Sequence, residues 1–180
     1  MFQGWEAFYT LIGTCSGALI SLLFVVVTLT SGRERPDNNR GTNVYMTPTV
    51  FHFGVVIVVS ATALAPRLSS GLVELGIGAS ALVGLTHMGI IGLQFSRRDF
   101  PSAPHWSDFW CYVAAPTLIY LALGGAAIGL RMAPTASADA LGLFLLTLML
   151  VAIRNAWDLV TWLAPRRDEA AGDPPASPSA

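Results

Sequence analysis

The chain has 180 residues, 53% hydrophobic and only 12% charged, with a formal net charge of -1 and a mean hydropathy of +0.59. About a quarter of the residues in an ordinary soluble domain are charged, so this composition excludes one and leaves no room for a sizeable soluble catalytic domain. No basic tract is dense enough to suggest nucleic acid.

Five apolar runs, at about 8–30, 48–66, 72–94, 108–130 and 140–163, predict an all-α membrane protein, a five-transmembrane-helix bundle within residues 1–164. Lipid offers no partner to a free backbone group, and five segments cannot close a barrel, so the spans must be helical. The first run lacks a basic leader, carries Glu6 before it and is too long for a signal peptide, so it reads as a retained span. Trp5, Phe8 and Tyr9 suit its headgroup layer. The polar stretch Ser31 to Met46 reads as a solvated linker, with a binding loop as the alternative. Thr47 then predicts an N-cap, with Pro48 at the first position of the second helix.

The short loop around Arg67 to Gly71 predicts an antiparallel hairpin of spans two and three. Glu74 falls in the expected first turn of span three, where the helix dipole accounts for an acid. Ser107 before Asp108 predicts a similar start for span four, and Tyr120 in its middle should find a partner inside the bundle. Residues 165–180 are rich in Pro and Ala without apolar periodicity and read as a disordered cytoplasmic tail.

All ten basic residues are arginines. If every run spans, Arg33, Arg35, Arg40, Arg97, Arg98, Arg166 and Arg167 share one side, whereas the other holds only Arg67 and Arg131. Basic flanks are retained in the cytoplasm, which predicts the N-terminus outside and the C-terminus inside. Cys15 and Cys111 lie in different spans at different depths and read as free thiols.

Small residues at fourfold spacing mark helix-packing faces: Gly13-xxx-Gly17, Gly76-xxx-Ser80-xxx-Gly84, and Gly125-xxx-Gly129. They either close the monomer's own bundle or, most plainly on span three, mediate self-association.

Arg154 is the leading polar candidate, about 21 Å into the bilayer by helical rise. Side chains lean toward a helix N-terminus, so its guanidinium starts out directed away from the nearer water and calls for a protein partner. Asp158 lies one turn on, with Asn155 beside it and Thr147 and Thr161 extending the stripe. Intramembrane charges are costly and frequently functional; the competing reading is a structural pair that fixes register, with Trp157 and Trp162 anchoring the interface. His87, about 22 Å deep, and His52, one turn into span two, would give the inner half a polar lining with Thr28, Gln94, Asp108 and Cys111 if these faces converge. Each histidine suits an interhelical hydrogen bond; proton movement or metal ligation is the sharper alternative.

No HxxxH, HExxH or CxxC spacing is present, so no metal or other cofactor is expected. Neither a Ser-His-Asp pattern nor a phosphate loop is found, and Gly76-Ile77-Gly78 does not continue into a dinucleotide fingerprint. An enzyme is not expected.

Trp5-Glu6-Ala7-Phe8-Tyr9 leading into a small-residue helix, and Arg154-Asn155-Ala156-Trp157-Asp158, resemble a loose group of small bacterial inner-membrane proteins. The resemblance implies a multi-pass protein of the bacterial cytoplasmic membrane and no particular activity. The leading expectation is a homo-oligomeric channel or carrier for an ion or small solute, with Arg154 favouring an anion or gating. Next comes a non-catalytic accessory subunit docking on a larger membrane complex, and last a small intramembrane enzyme using His87 or Cys111. A channel needs its polar residues on a wet cavity; an accessory subunit permits a dry bundle with a glycine face left open.

Overall fold

The computed structural model describes residues 2, 4–30, 38–96 and 109–163, without the side chains of residues 30, 38–46, 95, 96, 162 and 163. The helices are α1 (Glu6–Thr30), α2 (Asn38–Leu64), α3 (Ser70–Ser96), α4 (Ala115–Gly129) and α5 (Pro134–Leu163), with a π-helical turn (Trp110–Ala114) leading directly into α4. Among the described residues, five helical segments are long and apolar enough to cross a membrane, α4 together with its π-turn. The 25 residues of α1 reach about 37 Å, more than the ~30 Å hydrocarbon core requires.

Two helices start earlier than the sequence suggests. Pro48 lies inside α2, and Thr47 is not its cap. Apolarity reads only the stretch fit to cross a membrane, which in α2 begins at Thr47. The helix itself extends through 38–46, a stretch expected to be linker. A carbonyl that Pro48 leaves without its usual donor can be met by water there. Helix α5 starts at Pro134, whose missing N–H costs nothing at the first position. Ser107 and Asp108, the tail, Arg33, Arg35, Arg97, Arg98, Arg166 and Arg167 lie outside the described residues, as does the Arg40 side chain.

The π-turn has a visible cause. Pro116 cannot donate to the carbonyl one α-turn back, and its ring crowds that carbonyl. The turn before it widens, and the Ala115 N–H reaches back to the Trp110 carbonyl.

Helices α2 and α5 form the middle of the bundle: α2 packs on α1, α3 and α5, and α5 on α1, α2 and α4. Helix α4 also lies against α3. Tyr9, Phe53, Ile77, Tyr120, Leu123, Leu141, Leu145 and Leu148 fill the interior, fully buried. Leu22, Phe24, Leu75, Leu82, Leu118, Leu143 and Leu150 are exposed, as a lipid-facing surface requires. Dispersion and close backbone approach, rather than water exclusion, hold such a bundle together in lipid.

The small-residue faces divide between the interior and the surface. A Cβ at Gly13 would lie 3.3 Å from the Ser60 Cβ, at Gly76 3.0 Å from the Thr62 Cγ2, and at Gly129 2.7 Å from the Ser137 Oγ. Gly84 lies under the Tyr120 ring, which a Cβ would overlap. These four close the monomer. Gly17 and Gly125 would carry a Cβ with no heavy atom within 4 Å, and Ser80 turns its hydroxyl back to the Gly76 carbonyl at 2.8 Å.

At the end with the short turns, the Trp5 ring covers Gly142, and the Tyr9 hydroxyl donates to the Ala138 carbonyl at 3.4 Å. Glu74 lies beyond the first turn of α3, which starts at Ser70, and forms an ion pair with Arg131 across the α3–α4 seam at 2.5 Å. The dipole account of Glu74 therefore gives way to a specific partner.

Candidate functional site

Two buried polar layers lie in the half of the bundle away from the short turns. In the first, the His52 Nδ1 of α2 is 2.8 Å from the Tyr120 hydroxyl of α4, both residues being fully buried. The tautomer decides which group donates. Phe51, the neighbour of His52, stacks on His87 of α3 with ring centroids 4.2 Å apart and planes inclined by 29°. Gly84 admits the Tyr120 ring one turn above His87. Three helices therefore meet through Phe51, His52, His87 and Tyr120. The Nε2 atoms of His52 and His87 are buried with no hydrogen-bond partner among the described residues.

The second layer joins α5 to the π-turn. Asn155, fully buried, donates its side-chain N–H to the Cys111 carbonyl at 3.2 Å. The Tyr112 hydroxyl donates to the Asn155 main-chain carbonyl, also at 3.2 Å. A π-turn disturbs the regular carbonyl ladder, and Asn155 supplies a donor where α4 has its irregularity.

Arg154 and Asp158 pair as their spacing predicts, with Nη1 to Oδ2 at 3.0 Å, and Arg154 also reaches the Asn155 Oδ1 at 3.4 Å. Their side chains are 41% and 39% exposed, so the pair lies on the flank of the bundle. Thr147 and Thr161 bond their own helix, and Trp157 faces outward. The side chain of Trp162 is not among those described.

The polar residues therefore do not form one lining. Thr28 is exposed and bonded to the Phe24 carbonyl, Gln94 is exposed, and Asp108 lies outside the described residues. The histidines belong to one layer, Asn155 and the Cys111 backbone to another, and the charges to the outside. No group of three metal-ligating side chains is present among the described residues.

Sequence reading singles out His52, His87, Arg154, Asn155 and Asp158, but not Phe51 or the π-turn. Pro116 inside an apolar run is the signal that could have located the turn. Nothing local in the sequence pairs Tyr120 with His52, 68 positions away.

Two surface grooves flank α3. One of about 500 Å³, between α2 and α3, has Gly54, Gly76, Ala79 and Ser80 among its lining, with Phe51 and Val58. The other, of about 810 Å³, lies between α3 and α4.

No protein-family model matches the chain, and no significant match is found among curated proteins or solved structures.

Proposed function

We propose that the chain is a non-catalytic accessory subunit of a larger membrane assembly, and that a transmembrane helix of its partner docks in the α2–α3 groove. The observation that carries this reading is the division of polar and small residues. His52 and Asn155 are fully buried within the bundle, while Gly54, Ala79 and Ser80 line a groove on its surface. In lipid, small residues permit the close backbone approach that helix association needs. The same reading places the protein in the bacterial inner membrane, N-terminus outside and C-terminus cytoplasmic. In the sequence, seven arginines fall in connections that would share one side against two in those that would share the other, which supports that orientation.

A homo-oligomeric channel or carrier is the second reading, favoured by one observation. The Nε2 atoms of the fully buried His52 and the partly buried His87 have no hydrogen-bond partner among the described residues, and a route for protons or a small solute would make use of them.

Native mass of the protein after mild extraction from its own membrane separates the two. A stoichiometric foreign chain, lost on Gly54→Leu, is the expected result. A homo-oligomer containing no other chain would overturn the accessory role and direct effort to flux assays.

A further inference from the structure

We infer that the groove between α3 and α4 is a binding site for one phospholipid, whose phosphate sits on Arg131 and whose acyl chain lies between the helices. This goes beyond the docking role and depends on the adjoining face of α3, which meets the docking groove at Ala79. The groove is about 810 Å³ and almost wholly apolar below its mouth, with Gly78 and Leu82 from α3 and Gly124 and Ile128 from α4 among its walls. Its mouth is charged. Arg131, at the end of α4, faces Glu74 of α3 and completes the lining there.

The two charges have unequal surroundings, which gives the mouth its sign. Glu74 is 12% exposed and holds the Arg131 Nε, whereas the Arg131 side chain is 75% exposed. Glu74 thus fixes the guanidinium over the groove, and its outward N–H groups offer the planar fork that matches a phosphate. An anion is the complement of that edge.

The groove's depth suits one leaflet. From Glu74 to Leu85 the α3 wall descends about 16 Å at ~1.5 Å per residue, against about 15 Å for half of the hydrocarbon core. Gly124 lies level with Ala81, the Cβ it would carry being 3.6 Å from the Ala81 Cβ. The two helices therefore approach closely at the groove's floor. Gly78 would carry a Cβ with no heavy atom within 4 Å, so space rather than packing occupies that position. A phosphate-bearing head at the charged mouth and a single hydrocarbon chain below it satisfy both parts of the site.

The test is native mass spectrometry of the full chain reconstituted with a phosphatidylglycerol and phosphatidylethanolamine mixture and then re-extracted. One phospholipid should remain on the wild-type chain. Arg131→Gln should weaken retention roughly tenfold, as loss of a charge-assisted phosphate contact implies. Gly78→Leu should abolish it by filling the groove, while helicity and thermal stability stay at the wild-type level. Arg67→Gln, an exposed arginine on the α2–α3 turn outside the groove, should retain the lipid and serves as the charge control. Equal retention by all four proteins would overturn the proposal, as would no retention by any of them. A photocrosslinker at Leu82 that captures a protein helix or a second copy in place of lipid would also overturn it.

Discussion

Tyr120 and His52 meet at 2.8 Å inside the bundle, and the position of Tyr120 depends on a third helix that provides no side chain at the contact. The Tyr120 ring occupies the space over Gly84. Helix α3 thereby shapes a hydrogen bond between α2 and α4. Tyr120→Phe keeps the ring and removes the hydroxyl, leaving His52 without that partner. The expected loss is about 1 kcal/mol, in the range of interhelical hydrogen bonds in lipid, measured by reversible unfolding in bicelles. Unchanged stability would mean that the bond contributes nothing.

Gly84 and Gly78, six residues apart on α3, should answer oppositely to substitution. Gly84→Ala places a methyl group in the Tyr120 ring and should cost about 1–3 kcal/mol as overpacking. Gly78→Ala adds a methyl group to open space and should leave thermal stability within about 0.5 kcal/mol of wild type. If both variants behave alike, helix propensity rather than packing governs this face.

The spans are legible in the sequence because lipid imposes length and apolarity on each one independently of the others. Helix limits outside lipid are less so: α2 continues past Pro48 to Asn38, where neither apolarity nor the proline marks a boundary. Spacing within one helix gives the Arg154–Asp158 pair, since four residues make one turn. It cannot give rotation about the helix axis, which decides that Arg154 lies on the flank while its neighbour Asn155 is fully buried. The fourfold glycines mark faces without naming their neighbours, and only packing separates Gly13 from Gly17. Glu74 and Arg131 are 57 positions apart and fall together because α3 and α4 run antiparallel.

Asn155 should act on the π-turn from the neighbouring helix. Asn155→Leu removes the donor to the Cys111 carbonyl, and an unsatisfied buried acceptor costs about 1–3 kcal/mol. Hydrogen exchange should quicken at residues 111–115 while the middle of α3 keeps its protection. Tyr112→Phe removes the second bond of the latch and should give a smaller effect in the same segment. Uniform loss of protection across the bundle would show a general folding defect instead.

Arg154 and Asp158 are the charges most suggestive of function from sequence, and their exposure changes what their removal should do. A buried pair would leave an uncompensated charge when one member is lost, at a cost of about 3–5 kcal/mol. At 41% and 39% exposure, the pair lies on the outer face of the bundle rather than in its core; the long Arg154 stem can carry its guanidinium toward the headgroup layer, and Asp158 lies one turn nearer the end of α5, so losing one member should cost less than it would in a sealed core. Arg154→Gln and Asp158→Asn should therefore both assemble and unfold close to wild type. A subunit that docks through its α2–α3 groove should keep its partner in both variants, since the pair lies on α5. A channel gated by Arg154 should instead change flux or selectivity in Arg154→Gln while its mass stays the same. Solute flux in liposomes, measured beside native mass for the same two variants, distinguishes these outcomes. Failure of Asp158→Asn alone to assemble would place the arginine in a drier environment than its exposed flank indicates.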